Sequence, residues 1–147
     1  MKKITKQTYI DWYENMLFWR KFEDKLAGVY IQQKVRGFLH LYNGQEAVLA
    51  GSLHAMEIGK DRMITAYRNH VQPIGMGVDP KRVMAELYGK ATGTSQGLGG
   101  SMHIFSNLLQ IRNPRDVLCQ NLLHNPNLDK LSSIIFQFLL DDWLPFR

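Results

Sequence analysis

The sequence predicts an α/β chain that is mainly helical, and three observations predict it. A run without glycine or proline extends from Tyr9 to Ala27, Asp79-Pro80 opens a later apolar-faced segment, and a short β-prone run, Asp61 to Thr65, lies between them. At 147 residues the chain has room for one domain with a real core. Its 45% hydrophobic and 21% charged residues are those of an ordinary globular protein and exclude wholesale disorder.

The first helix is expected to open at Thr8, with Asp11 three residues on in the pattern of a capping pair. Trp12, Met16, Trp19, Leu26 and Tyr30 recur at helical spacing, and Phe18 and Phe22 widen the stripe, so this face is expected to bury as core or subunit interface. Gly37 ends the pattern, and Phe38 to Leu41 reads as a short extended segment or loop. Asn43 with Glu46 three residues later then launches a second helix through about Met56. Its small residues Ala47, Ala50, Gly51 and Ser52 would let another backbone come close. Asp61 to Thr65 is the strand, and Asp79 caps a third helix with proline at its first position, carrying Val83, Met84, Leu87 and Tyr88 on one face before Gly89.

Behind the strand, Ile64-Thr65-Ala66-Tyr67-Arg68-Asn69-His70 sets a phenol, a guanidinium and an imidazole on a rigid support, where anion- or cofactor-binding side chains are commonly held. Gly93-Thr94-Ser95-Gln96-Gly97-Leu98-Gly99-Gly100 must be a loop, whose glycines permit close backbone approach to a ligand. No lysine follows it as in a Walker A loop, and the third glycine of a dinucleotide fingerprint is missing.

After Ser106 the composition changes. All 12 glycines and all seven methionines precede Asn107, as does every Ala, Thr, Tyr and Glu, whereas ten of the leucines fall in the last 41 residues. Two regions are therefore expected, 1–106 and a divergent Leu-rich tail, 107–147, in which Leu128, Leu131, Ile135 and Phe138 could line one helix face.

Cys119 is the single cysteine, and no Cys/His run has zinc-like spacing, so no metal site is expected. Met1-Lys2-Lys3 leads into polar residues rather than an apolar signal core, and no apolar run approaches the length of a membrane span, so a cytoplasmic setting is expected with no membrane partner. The net charge of +5 is dispersed rather than gathered in a patch, which argues against nucleic acid as a partner.

Five segments in order, Arg36-Gly-Phe-Leu-His40, Gly44-Gln45-Glu46-Ala47, Ile64-Thr65-Ala66-Tyr67-Arg68, Met84-Ala-Glu-Leu87 with Gly89, and Gly99-Gly100-Ser101-Met102-His103, resemble the alpha subunit of the thiamine diphosphate-dependent first component of 2-oxoacid dehydrogenase complexes, most closely the pyruvate type. The resemblance covers residues from about 9 to 105. It implies the N-terminal, mainly helical part of a thiamine diphosphate-binding fold, truncated, with an unrelated tail. It also implies oxidative decarboxylation of a 2-oxo acid with acyl transfer to a lipoyl group. The partners implied are a beta subunit in a heterotetramer, a lipoyl-bearing acyltransferase, and pyruvate, a branched-chain 2-oxo acid or acetoin as the small substrate. By match to the family's motifs, Tyr67 and Arg68 contact the cofactor, His40 lies by the substrate as the catalytic residue, and His70 and His103 either line the site entrance or are ordinary hydrogen-bonded histidines. Gln45 and Glu46 are expected to cap and hold their segment.

The family continues after Ser-Met-His with a glycine-rich segment, Gly-Asp-Gly and a downstream Asn that hold the magnesium bridging the diphosphate. No glycine follows Gly100 here, and Asp141-Asp142 lacks flanking glycines, so the magnesium ligands are expected to be absent from this chain. A shifted reading frame or a rearrangement near codon 106 would account for the coincidence of this departure with the change in composition. On that expectation the chain is inactive alone, and its alternative role is that of a non-catalytic remnant that binds a partner subunit.

Overall fold

Thr5, not Thr8, opens the first helix, α1 (Lys6–Ile31). The Thr5 hydroxyl accepts from the Thr8 backbone N–H and the Thr8 hydroxyl accepts from the Thr5 N–H, so Thr8 is the inner half of the cap. In this computed structural model the described residues are 3–104, except 36 and 66, together with the backbone of 111 and 112. They fall in one compact unit, Met1–Asn113. The expected tail helix through Leu128 and Phe138 lies outside the described residues.

α1 runs through Gly28 and stops only when Gln33 turns into the left-handed region, φ 58°, donating to Tyr30 O while Lys34 N–H reaches back to Val29 O. The stripe buries much as its spacing implies: Trp19, Phe22 and Leu26 are core, with Trp12, Met16 and Tyr30 packed against it. Phe18 is the exception at 46% exposure, because it lies about a third of a turn off the stripe. Glu23 takes a place in the stripe instead, fully buried.

α2 (Glu46–Ala55) begins at Gln45, which makes no side-chain cap. Asn43, the expected cap, donates to Asp24 of α1, and the Gly44 N–H is taken by Glu46. The close approach expected at Gly51 is made from the other partner. A side-chain carbon on Gly51 would meet nothing within 4 Å, whereas one on Gly75 would stand 2.6 Å from Leu53 and 3.3 Å from Trp19. Gly75 ends α3 (Val71–Gly75), a short helix absent from the sequence expectation, which packs on both α1 and α2. α4 (Pro80–Leu87) starts as expected, with the Asp79 carboxylate accepting from Lys81 N–H.

β1 (Met63–Ile64) pairs in parallel with β2 (Ile111–Arg112), Met63 opposite Ile111. A parallel pair needs a crossover, and α3, α4 and the glycine-rich loop supply it. β2 lies past the composition break at residue 106, so the pair draws one strand from each side of it. Val83 and Leu87 of α4 join Leu26, Leu49, Val71 and Ile104 in a single core. A fully enclosed aliphatic chain such as Leu26 contributes about 2 kcal/mol.

Candidate functional site

β1 ends at Ile64, and three residues later the chain presents Tyr67 and Arg68 at the surface. Tyr67 is 44% exposed. Its ring meets the His40 ring edge-on, with centroids 4.6 Å apart at 62°, and the Arg68 guanidinium carbon lies 5.3 Å from the same phenol ring. His40, Tyr67 and Arg68 therefore form one cluster although 27 residues separate His40 from Tyr67 in the chain.

The His40 segment is held by its own backbone carbonyls. Tyr30 Oη donates to Gly37 O at 2.9 Å, Ser101 Oγ donates to Phe38 O, and Arg68 Nη1 donates to Leu41 O at 3.1 Å. Arg68 spends one N–H this way, which fixes the plane of its fork and leaves further donors on it for an anion.

His70 stands apart from this cluster, in the interior. Its Nε2 donates to Ser101 O at 2.8 Å, since a carbonyl can only accept, and its Nδ1 lies 3.0 and 3.2 Å from the two oxygens of Glu23. One proton lies between Nδ1 and the carboxyl, so the pair is either imidazolium and carboxylate or imidazole and acid, neutral overall. Both side chains are wholly enclosed, and the geometry is that of a hydrogen-bonded core histidine. His103 is exposed, two residues beyond Ser101.

The glycine-rich loop does surround an anion, and the anion is protein. Glu86, fully buried at the end of α4, accepts from Ser95 N–H and Gly97 N–H through Oε2 and from Gly99 N–H through Oε1, at 2.7–2.9 Å. Glycine is required because side-chain carbons at 93 and 99 would overlap Glu86 and His103, and one at 97 would stand 2.5 Å from the Gly89 backbone. The close approach expected of these glycines is made to Glu86, His103 and Gly89, and the Ser95, Gly97 and Gly99 N–H groups are committed to holding the loop that carries Ser101 and His103.

Glu46 is engaged in the same manner. Arg20 Nε and Nη2 meet its two oxygens at 2.6 and 3.0 Å, and Gly44 N–H adds a third bond. Burial pushes the Glu46 carboxyl up, but the Arg20 hydrogen bonds and charge together with the backbone donors outweigh it and hold the group below the usual carboxylate range. The Glu46 carboxylate in turn raises Arg20. Gln45 and Glu46 thus sit at the helix start as the sequence suggests, with Arg20 as an unforeseen partner. A groove of about 290 Å³ opens beside this pair, between Tyr13, Met16 and Leu17 of α1 and Gly44, Glu46 and Ala47. None of His40, Tyr67 or Arg68 lines it.

Glu23, Glu86, Arg20 and the clamp by Ser101 are what sequence reasoning missed. Glu23 had a signal, a carboxylate at a core position of an apolar stripe, which needs a buried partner. Among the described residues no three His, Cys, Asp or Glu side chains are grouped to hold a metal ion, and no helix is long and apolar enough to cross a membrane.

Comparison with known proteins adds to this geometry. The sequence model of the family described as "Dehydrogenase E1 component" matches residues 14–118. The chain is 50% identical over 103 residues to the pyruvate dehydrogenase E1 component subunit alpha of Porphyra purpurea, covering 70% of this chain and 30% of that protein. It is 47% identical over 103 residues to the chloroplastic subunit alpha-3 of Arabidopsis thaliana, covering 70% and 24%, and 46% identical over 101 residues to the subunit alpha of Zymomonas mobilis, covering 69% and 28%. The chain thus spans less than a third of the length of these relatives.

Proposed function

This chain belongs to the dehydrogenase E1 component family, and on that premise we propose that it forms the His40–Tyr67–Arg68 part of a pyruvate dehydrogenase-type active site. The reaction is thiamine diphosphate-dependent oxidative decarboxylation of a 2-oxo acid, with the acyl group passed to a lipoyl group on a partner acyltransferase. Pyruvate is the substrate favoured by the names of the relatives. The whole reaction is assigned to an assembly with a beta subunit, in which this chain supplies one part of a shared site and is inactive alone.

The observation that supports this reading most is the convergence of the His40 ring and the Arg68 guanidinium on Tyr67, at 4.6 and 5.3 Å. The donor chemistry fits a diphosphate: Arg68 offers a planar fork with Leu41 O holding one of its N–H groups, and Tyr67, an exposed residue, offers a hydroxyl. When bound, thiamine diphosphate supplies the electron sink for loss of carbon dioxide. Arg68 and Tyr67 would hold its diphosphate, and magnesium would be held by residues other than these. His40 would hold the substrate carboxylate or the developing oxyanion by a ring N–H.

Reconstitution tests this. The chain, mixed with a beta subunit of the family, thiamine diphosphate and magnesium, is expected to release carbon dioxide from pyruvate, and the chain without the beta subunit is expected not to. A second reading, partner binding without catalysis, is favoured by the exposed apolar side of α1, where Tyr9, Tyr13 and Leu17 recur every fourth residue. Association with the beta subunit and no turnover would support it.

A further inference from the structure

Among the described residues, Ser101 joins the buried Glu23–His70 pair, through its backbone carbonyl, to the segment carrying His40, through its hydroxyl. Its carbonyl accepts from His70 Nε2 and its hydroxyl donates to Phe38 O. The two bonds run in opposite directions from a residue that is itself buried. From α1 the chain of contacts is Glu23 carboxyl, His70 imidazole, Ser101 carbonyl and hydroxyl, then the Phe38 carbonyl, two residues before His40.

We propose that Ser101 is a positioning residue for His40, with Glu23 and His70 as its anchor in the core. This rests on the reading of His40 as the substrate-facing group. Phe38 itself cannot anchor the segment, because its side chain is 76% exposed. The segment is fixed instead through carbonyls on both sides of His40, by Tyr30 and Ser101 before it and by Arg68 after it. Ser101 differs from the other two clamps in being tied to a group with no solvent exposure, so it transmits the rigidity of the core to the His40 ring. The hydroxyl is essential to this role, and the Glu86-held loop explains how residue 101 is delivered to both partners at once.

Histidine-ring NMR of the full chain tests the proposal. In the native chain the His40 and Tyr67 rings are expected to show a mutual cross-relaxation peak, and a slowly exchanging Ser101 hydroxyl proton is expected to show one to the Leu39 amide. Ser101→Ala is expected to lose the His40–Tyr67 peak while His70 keeps its signals, and Ser101→Thr, which retains the hydroxyl, is expected to restore it. A His40–Tyr67 peak unchanged in Ser101→Ala overturns the proposal. Should that variant not fold, a native chain whose Ser101 hydroxyl exchanges freely overturns it equally. Thiamine diphosphate titrated into the same native sample separates the two claims. Failure to bind counts against the proposed function alone, and intact binding with an unmoved His40 ring in Ser101→Ala counts against the positioning role alone.

Discussion

Glu23 Oε1 lies 3.0 Å from His70 Nδ1, and neither side chain reaches solvent. A carboxyl in an apolar helix stripe costs stability unless it is paired, and His70, with its other nitrogen on Ser101 O, completes the pairing. Glu23→Leu leaves the His70 Nδ1 without a partner and is expected to cost about 3 kcal/mol. Glu23→Gln is expected to cost clearly less, because an amide N–H can donate to Nδ1 of a neutral ring that still donates through Nε2. Urea denaturation of the two variants measures both. Equal losses would show that the hydrogen bond contributes nothing.

Glu46 sets an acid limit to stability. Its folded carboxyl titrates below its ordinary value of 4.5, so as pH falls the unfolded chain takes up the proton first. The contribution is fully present above that value and is lost as pH drops through the lower, folded one. Glu46→Gln removes this dependence. The variant is expected to melt lower than the native chain near neutrality, with the gap narrowing below pH 4.5, as thermal melts across that range would record.

The glycine-rich loop is fixed by Glu86 and by the absence of side chains at three positions. Gly97→Ala places a carbon 2.5 Å from the Gly89 backbone at a residue with φ 79°. It is expected to cost at least about 2 kcal/mol. Gly100→Ala has open space around it and φ 60°, so only the backbone penalty of about 1 kcal/mol applies. The difference between the two in the same denaturation assay isolates the steric part.

Much of this fold is legible in the sequence where a single local rule decides. Asp79-Pro80 fixes the start of α4, and three- and four-residue spacing marks Trp19, Phe22 and Leu26 as core. The cluster of Tyr67, Arg68 and His40 is legible only through the order of its motifs, since no local rule says that His40 meets a ring 27 residues on. What was not legible depends on tertiary partners. α3 has five residues including Pro73 and Gly75 and no pattern of its own, and it forms because Gly75 can seat against Leu53 and Trp19. Phe18 is exposed because it lies off the stripe, and Glu23 is buried in it because His70 stands opposite from a distant part of the chain. Glu86 reads as a polar residue beside an apolar face until the loop wraps it.

Calorimetric titration of thiamine diphosphate into the chain with magnesium present, repeated with Arg68→Gln and with thiamine lacking the diphosphate, tests the central claim most directly. Saturable binding is expected for the native chain, weaker by about tenfold or more in Arg68→Gln, where a charge-assisted contact of roughly 1.5–3 kcal/mol is lost. Thiamine is expected to gain nothing from Arg68. Equal affinity for native and Arg68→Gln chains, or the same dependence on Arg68 with thiamine, would contradict the assignment of Arg68 to the diphosphate.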